Sequence, residues 1–285
     1  MSTENTAQIE FWNGETGQNW VTHDALMEAM LQPLGEAVLD ILAPTAGERA
    51  LDIGCGCGHT SLDLAARVGT EGRVTGVDIS APMLGVARGL ADEASNDSAP
   101  MAFLEADAQT HAFQASDYDV VFSRFGVMFF EDPVAAFTNI RSAMSPAGRL
   151  AFCCWQPRAV NPFMTVPAMA ALELLPAPPQ LPPRAPGPFA FEEADYVDTI
   201  LQEAGYADIC ISPLSRLLEF GRGLPLTEIV ERLVQIGPIA QMVRDAPADL
   251  QQPVRDRVSA AVAPFFDSRT GLALEGQFWT VSARS

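Results

Sequence analysis

A run of glycines between an apolar strand and a helix limits the possible folds of this chain more than any other part of its sequence. Residues 51–58 read LDIGCGCG, with glycine at Gly54, Gly56 and Gly58. Glycine lets the backbone turn sharply and approach a ligand with no Cβ atom in the way. A dinucleotide fingerprint needs G-x-G-x-x-G, but its last position, counted from Gly54, is His59. The G-x-G-x-G spacing therefore disfavours a nicotinamide-dependent oxidoreductase, while a plain tight turn stays an alternative.

Around this turn, strand and helix patterns alternate, which predicts βαβ units on a parallel sheet. A preceding helix is predicted over residues 24–42 from apolar residues at helical spacing. The predicted helices of the alternating region are residues 60–68, 82–93 and 133–144. The predicted strands are residues 49–53, 73–78, 101–105, 118–122 and 148–155.

An acid ends the second predicted strand. Asp78 lies twenty residues beyond Gly58, at the tip of the run VTGVD. A carboxylate at that tip can accept hydrogen bonds from both ribose hydroxyls of an adenosine. We therefore predict that Asp78 is the ribose ligand. Capping of the helix that starts near Pro82 is the alternative, and both roles can coexist.

With Asp52 in front of it, the D-x-G-x-G-x-G run resembles the first motif of class I S-adenosylmethionine-dependent methyltransferases. The resemblance implies an α/β fold, a Rossmann-like doubly wound seven-stranded sheet with a helical cap insertion. It also implies S-adenosyl-L-methionine as the cofactor and a hydrogen bond between the adenine amino group and Asp107. The cofactor-binding residues expected on this basis are Asp52, Gly54, Cys55, Gly56, Gly58, Asp78, Ile79, Met83, Asp107, Ala108, Ser123, Arg124 and Trp20.

Residues 119–133 are similar to the segment that passes beneath the methionine part of the cofactor in small-molecule members of that family. The resemblance implies that Ser123 and Arg124 line the cofactor. Ordinary core packing is the alternative for the aromatic and methionine residues that follow. The substrate-facing residues expected are Phe125, Met128, Phe129, Trp155 and Phe163.

We expect one globular domain with five segments: an N-terminal helical lid (1–45), the cofactor-binding core (46–155), a proline-rich crossing with the sixth strand (156–220), the helical cap (221–271) and a closing strand (272–285). Seven prolines in residues 176–188 predict a loop. Beyond it, the patterns predict a helix at 195–204, strands at 206–212, 217–220 and 272–283, and helices within 226–266, interrupted at Gly237-Pro238 and at Pro247.

Methyl transfer is an in-line displacement that depends mainly on positioning, although a nucleophile that loses a proton benefits from a base. Among the three histidines, His23 is the best candidate for that base, since it lies near Trp12 and Trp20. A surface histidine is the alternative. We expect no metal, because the close cysteine pairs fit small apolar packing.

Charge and composition limit the partners. With 17 basic and 36 acidic residues, the net charge is -19, which disfavours nucleic acids and anionic membranes. A small neutral or cationic substrate is expected. Without a signal peptide, an apolar stretch of about 18 residues or a disulfide pattern, the chain is expected to be soluble and cytoplasmic, and a homodimer stays open.

The sequence therefore predicts an S-adenosylmethionine-dependent methyltransferase that acts on an O, N or C atom of a small metabolite. The alternative is a non-methylating enzyme or a cofactor-sensing protein that binds S-adenosylmethionine on the same fold.

Overall fold

The computed structural model describes residues 5–95, 97–178, 181–236 and 239–285. The strands are β1 (Arg49–Ile53), β2 (Arg73–Asp78), β3 (Met101–Glu105), β4 (Tyr118–Arg124), β5 (Met144–Trp155), β6 (Ala207–Phe220), β7 (Phe266–Asp267) and β8 (Gly271–Arg284). The α-helices are α1 (Thr6–Asn13), α2 (Glu15–Thr22), α3 (Asp24–Leu42), α4 (His59–Val68), α5 (Ala81–Asp92), α6 (Pro133–Ala143), α7 (Pro162–Leu172), α8 (Ala194–Glu203), α9 (Leu226–Leu233), α10 (Ala240–Arg244) and α11 (Ala248–Val262).

One mixed sheet organises the chain, in the order β3-β2-β1-β4-β5-β8-β6, with the two-residue β7 paired to β8. Strands β1 to β5 are parallel, and β8 runs antiparallel to both β5 and β6. The predicted Rossmann-like α/β sheet is confirmed, with β7 as an eighth, very short strand. The carboxyl ends of β1, β2, β3 and β4 meet at one edge, where ligands bind in open α/β sheets.

The two faces of the sheet bury different side chains because successive strand residues point to opposite sides. Val120 and Phe122 pack with α3 and α4 on one face, whereas Val121 between them joins the core on the other face. That second core is larger and includes Phe137 of α6 and Val258 of α11. The cap helices therefore share one continuous core with the sheet.

Three parts of the chain differ from the sequence patterns. The strands predicted at 206–212 and 217–220 form the single strand β6, in which Pro213 pairs with Trp279. Because β6 lies at the sheet edge, a residue without an N–H group is tolerated there. Helices α1 and α2 lie within the expected helical lid, for which only the helix at 24–42 had predicted bounds, and α7 was not expected. The predicted interruption at Gly237-Pro238 and residues 179–180 of the predicted loop lie outside the described residues.

Across the described residues, the helices are all too short or too polar to span a bilayer.

Candidate cofactor and acceptor site

The glycine loop follows β1 at the carboxyl edge of the sheet. Gly54, Gly56 and Gly58 have positive φ angles of 68°, 54° and 88°, which residues with a Cβ atom disfavour. A Cβ atom on Gly54 would lie 2.6 Å from the Cα atom of Gly126, and one on Gly58 would lie 2.7 Å from the Cβ atom of Ala87. The fold itself therefore requires glycine at both positions.

Asp52 lies beneath the loop and is fully buried. Its Oδ2 atom accepts hydrogen bonds from the hydroxyls of Thr60 and Ser61, both at 2.7 Å, while Oδ1 is buried without a partner in the described structure. Burial raises the pKa of Asp52 to about 6. Asp52 thus holds the first turn of α4 against the loop, and its predicted contact with the cofactor stays a prediction.

Asp78 connects the glycine loop to the turn after β2. Its Oδ2 atom accepts from the backbone N–H of Gly56 at 2.8 Å, and its Oδ1 atom accepts from the backbone N–H of Ser80 at 2.8 Å. Burial raises the pKa of this carboxyl group. Each carboxylate oxygen has a second lone pair, so the group can still accept two ligand hydroxyls. The capping alternative is wrong, because Ser80 rather than Asp78 is the N-cap residue of α5, and its side chain makes no capping hydrogen bond. The ribose role of Asp78 stays a prediction.

Asp107 and Ala108 lie after the neighbouring strand β3, whose last residue Glu105 pairs with Asp78. The Oδ1 atom of Asp107 accepts from the backbone N–H of Gln109 at 2.9 Å, and burial raises the pKa of Asp107. The side chain of Asn139 donates to the Ala108 carbonyl at 2.9 Å. The two predicted adenosine-binding acids therefore follow adjacent strands at one edge.

Helices α1 and α2 fold over this edge. Asn13 donates to the Ile79 carbonyl at 2.7 Å and accepts from the Ala81 N–H at 2.9 Å. The Ser80 hydroxyl donates to the carbonyl of Trp12 at 2.8 Å. The N-terminal helices are thus fixed to the turn that carries Asp78.

An aromatic cluster extends this contact. The ring of Trp12 lies 6.0 Å from that of Trp20 and 5.2 Å from that of Phe129, both edge to face. Met83 is buried below, with its Cε atom 2.8 Å from where a Cβ atom on Gly56 would lie. Trp20 and Phe129, both predicted site residues, therefore pack on Trp12 of α1. Met83, a third predicted site residue, lies beside the glycine loop.

Arg124 and Ser123 end β4. Arg124 binds Glu28 of α3 through two hydrogen bonds, Nη1 to Oε1 at 3.1 Å and Nη2 to Oε2 at 2.5 Å. Ser123 is fully buried and donates to the Ile53 carbonyl at 2.7 Å. Both predicted cofactor residues thus have protein partners, and their contact with the cofactor stays a prediction.

The glycine loop carries two buried cysteines, Cys55 and Cys57. Cys55 and Cys57 are 5% exposed, and burial raises the pKa of both thiols. His59 binds the Oδ2 atom of Asp24 at 2.8 Å, and this bond raises the pKa of His59. Across the described residues, no cluster of three potential ligands occurs.

Among the predicted substrate-facing residues, Phe125 and Trp155 pack against each other. Phe125, in the left-handed region with φ of 64°, stacks on Trp155 at 5.4 Å. Trp155 also lies 4.5 Å from Phe278. Because such a backbone is strained for a residue with a side chain, it marks the end of β4 as a candidate functional position. Met128 is 1% exposed and belongs to the core.

Phe163 packs against Phe220 at a centroid distance of 6.3 Å and is 8% exposed. It therefore lies inside the cap core, and the alternative of plain packing describes its present contacts. Its contact with a substrate stays a prediction.

His23 ends α2 at the junction of the lid and the cap. Its Nε2 atom lies 2.9 Å from Oε1 of Gln235, and its Nδ1 atom is buried without a partner in the described residues. The backbone carbonyl of Gln235 accepts from the side chain of Asn19 at 3.1 Å. The surface-histidine alternative is wrong, since His23 is 7% exposed.

Sequence reasoning missed Asn13, Glu28 and Gln235. Asn13 stands before Gly14, a turn signal that could have marked the end of a helix. Glu28 and Gln235 contact residues 96 and 212 positions away, so no local pattern indicates them.

Residues 50–148 match the family described as a methyltransferase domain. For these residues, the predicted resemblance to class I S-adenosylmethionine-dependent methyltransferases is confirmed. Over 135 residues it is 36% identical to the aklanonic acid methyltransferase DauC of a Streptomyces species, covering 47% of this chain and 60% of the relative. Over 128 residues it is 31% identical to the nocamycin O-methyltransferase of Saccharothrix syringae, covering 45% of each. The chain thus spans about half the length of these curated relatives.

The fold is also similar to that of a solved methyltransferase. Phosphoethanolamine N-methyltransferase 2 of Haemonchus contortus, crystallised with S-adenosylhomocysteine, superposes with a TM-score of 0.56 at 17% identity, covering 95% of this chain and 59% of that one. At this identity the likeness concerns the fold alone.

The residues at the sheet edge fit the cofactor of this family. Asp78 offers acceptors for the ribose hydroxyls, and the half-buried Asp107 offers one for an amino group. The glycine loop beside Asp78 has no side chain at three alternate positions. The predicted cofactor, S-adenosylmethionine, is therefore the cofactor of this domain.

Proposed function

We propose that this chain transfers the methyl group of S-adenosylmethionine to an O, N or C atom of a small metabolite. The observation that carries the proposal is the hydrogen bond from the Gly56 N–H to Asp78, because it sets a hydroxyl acceptor beside a turn that has glycine at three alternate positions. The relatives support it, since one is named for aklanonic acid and the other is a nocamycin O-methyltransferase. Oxygen is therefore the first acceptor atom to test.

When bound, S-adenosylmethionine supplies an electrophilic methyl group. The chain supplies position and a dry environment, which account for most of the rate in an in-line displacement. Asp78 and the glycine loop orient the adenosine part, while the rings of Phe125 and Trp155 form an apolar wall at the end of β4.

We assign His23 the role of general base. With Oε1 of Gln235 as the acceptor, Nε2 carries the ring proton and Nδ1 carries the lone pair. In this role the acceptor must reach the buried Nδ1 atom, which then takes the proton of its O–H or N–H group and leaves the electron pair of the acceptor for the new bond to carbon.

A screen of acceptors tests the proposal. The purified chain is incubated with S-adenosylmethionine and a library of phenols, hydroxyquinones and amines, and both S-adenosylhomocysteine and methylated product are measured by mass spectrometry. We expect the two to appear in equal amounts with at least one acceptor. Conversion of a compound without S-adenosylhomocysteine would support the non-methylating alternative, and binding of the cofactor without any product would overturn the proposal.

A further inference from the structure

The seam between α2 and the cap contains a cavity of ≈ 260 Å³ that is open to solvent on one side. Arg244 of α10 and Arg255 of α11 line it, together with Gln235 and Gln251. We propose that this cavity is the acceptor subsite and that the two arginines bind a carboxylate of an acidic acceptor. This proposal rests on the proposed function.

One residue of the cavity, Gln235, contacts the proposed base His23. Gln235 lines the cavity, and its Oε1 atom lies 2.9 Å from Nε2 of His23. Asn19, which also lines it, donates to the Gln235 carbonyl at 3.1 Å. A ligand in the cavity thus contacts the side chain that orients His23.

The cavity holds two cations that can bind an anion. Arg244 and Arg255 line it together with the anionic Glu15. Glu231 is the present partner of Arg255, so these four side chains balance in charge. The net charge of -19 led to the expectation of a neutral or cationic substrate, whereas a ligand carboxylate would here take the place of Glu15 or Glu231. Arginine also matches the geometry of a carboxylate, because its N–H groups bind both oxygens.

Glu15 and Glu231, which now pair with the two arginines, compete only weakly with a ligand carboxylate. Arg244 pairs with Glu15 at 2.8 Å, and the Glu15 side chain is 62% exposed. Arg255 pairs with Glu231 at 3.1 Å, and that side chain is 50% exposed. Exposed ion pairs contribute little to stability, so a ligand carboxylate can replace these two glutamates at low cost.

Titration of the whole chain, saturated with S-adenosylhomocysteine, tests the subsite. The probes are 2-naphthoate and its uncharged analogue 2-naphthamide, followed by tryptophan fluorescence. We expect naphthoate to bind more tightly than naphthamide, and Arg244→Ala or Arg255→Ala to weaken naphthoate binding by about 10-fold or more without affecting naphthamide. Arg244→Lys should restore part of the loss.

Arg257→Ala is the matched control, since Arg257 also lies on α11 but pairs with Glu173 and is 52% exposed. It should bind naphthoate as the wild type does. Equal affinity for the two probes, no detectable naphthoate binding, or unchanged binding in both alanine variants would overturn the subsite. If the wild-type chain did not bind S-adenosylhomocysteine at all, the proposed function would be refuted instead.

Discussion

Replacing Asp78 with alanine removes the carboxylate that joins the glycine loop to the turn after β2. In the protein alone, the backbone N–H groups of Gly56 and Ser80 each lose a hydrogen bond of 2.8 Å. With ligand, the two ribose hydroxyls lose a charged acceptor, which costs about 1.5–3 kcal/mol for hydrogen bonds to a charged group. Since every 1.4 kcal/mol is tenfold, the Kd for S-adenosylhomocysteine should rise by roughly 10-fold to 150-fold.

Calorimetric titration with S-adenosylhomocysteine measures this change, and urea unfolding of the same samples checks that Asp78→Ala remains folded. Asp78→Asn, which keeps one acceptor oxygen, should fall between the alanine variant and the wild type. Asp92→Ala is the control, because Asp92 is exposed at the end of α5 and its loss changes the net charge equally. A folded Asp78→Ala variant with the wild-type Kd would refute the ribose assignment.

Three further changes test other parts of the account. Asp119 has a pKa lowered to about 2, mainly by its hydrogen bond with Arg49, so Asp119→Asn should lower the free energy of unfolding at pH 7 by about 2 kcal/mol. That difference should be present above pH 3.8, the ordinary pKa, and vanish as the pH falls through about 2; a constant difference in urea titrations would contradict it. His23→Gln should lower kcat by about 10²-fold or more in steady-state assays at an unchanged Kd for cofactor, and an unchanged kcat would remove His23 as the base. Asn13→Ala should speed hydrogen exchange in α1, because Asn13 ties that helix to Ile79; unchanged exchange would show that the lid is held by other contacts.

The parallel core could be predicted because its signals are local. The strands β1, β2 and β3 begin and end at the predicted residues, since each is a short apolar run bounded by turn residues. The same reasoning located Asp78 at a strand tip, next to the loop it contacts.

The lid and the cap could not be predicted to the same extent. Helices α1 and α2 have eight residues each, too few for a clear amphipathic pattern. Helix α7 was hidden by Pro162 and Pro167, although the first lies at the start of the helix, where proline is favoured. Contacts such as that of His23 with Gln235 join residues 212 positions apart, and only the fold brings them together.

The central claim is that the glycine loop and Asp78 form a site for S-adenosylmethionine rather than for a nicotinamide cofactor. Calorimetric titration of the wild-type chain with S-adenosylhomocysteine and, separately, with NAD tests it most directly. The account predicts one molecule of S-adenosylhomocysteine bound per chain and no measurable heat with NAD. Saturable binding of NAD, or no binding of S-adenosylhomocysteine by the folded chain, would contradict it.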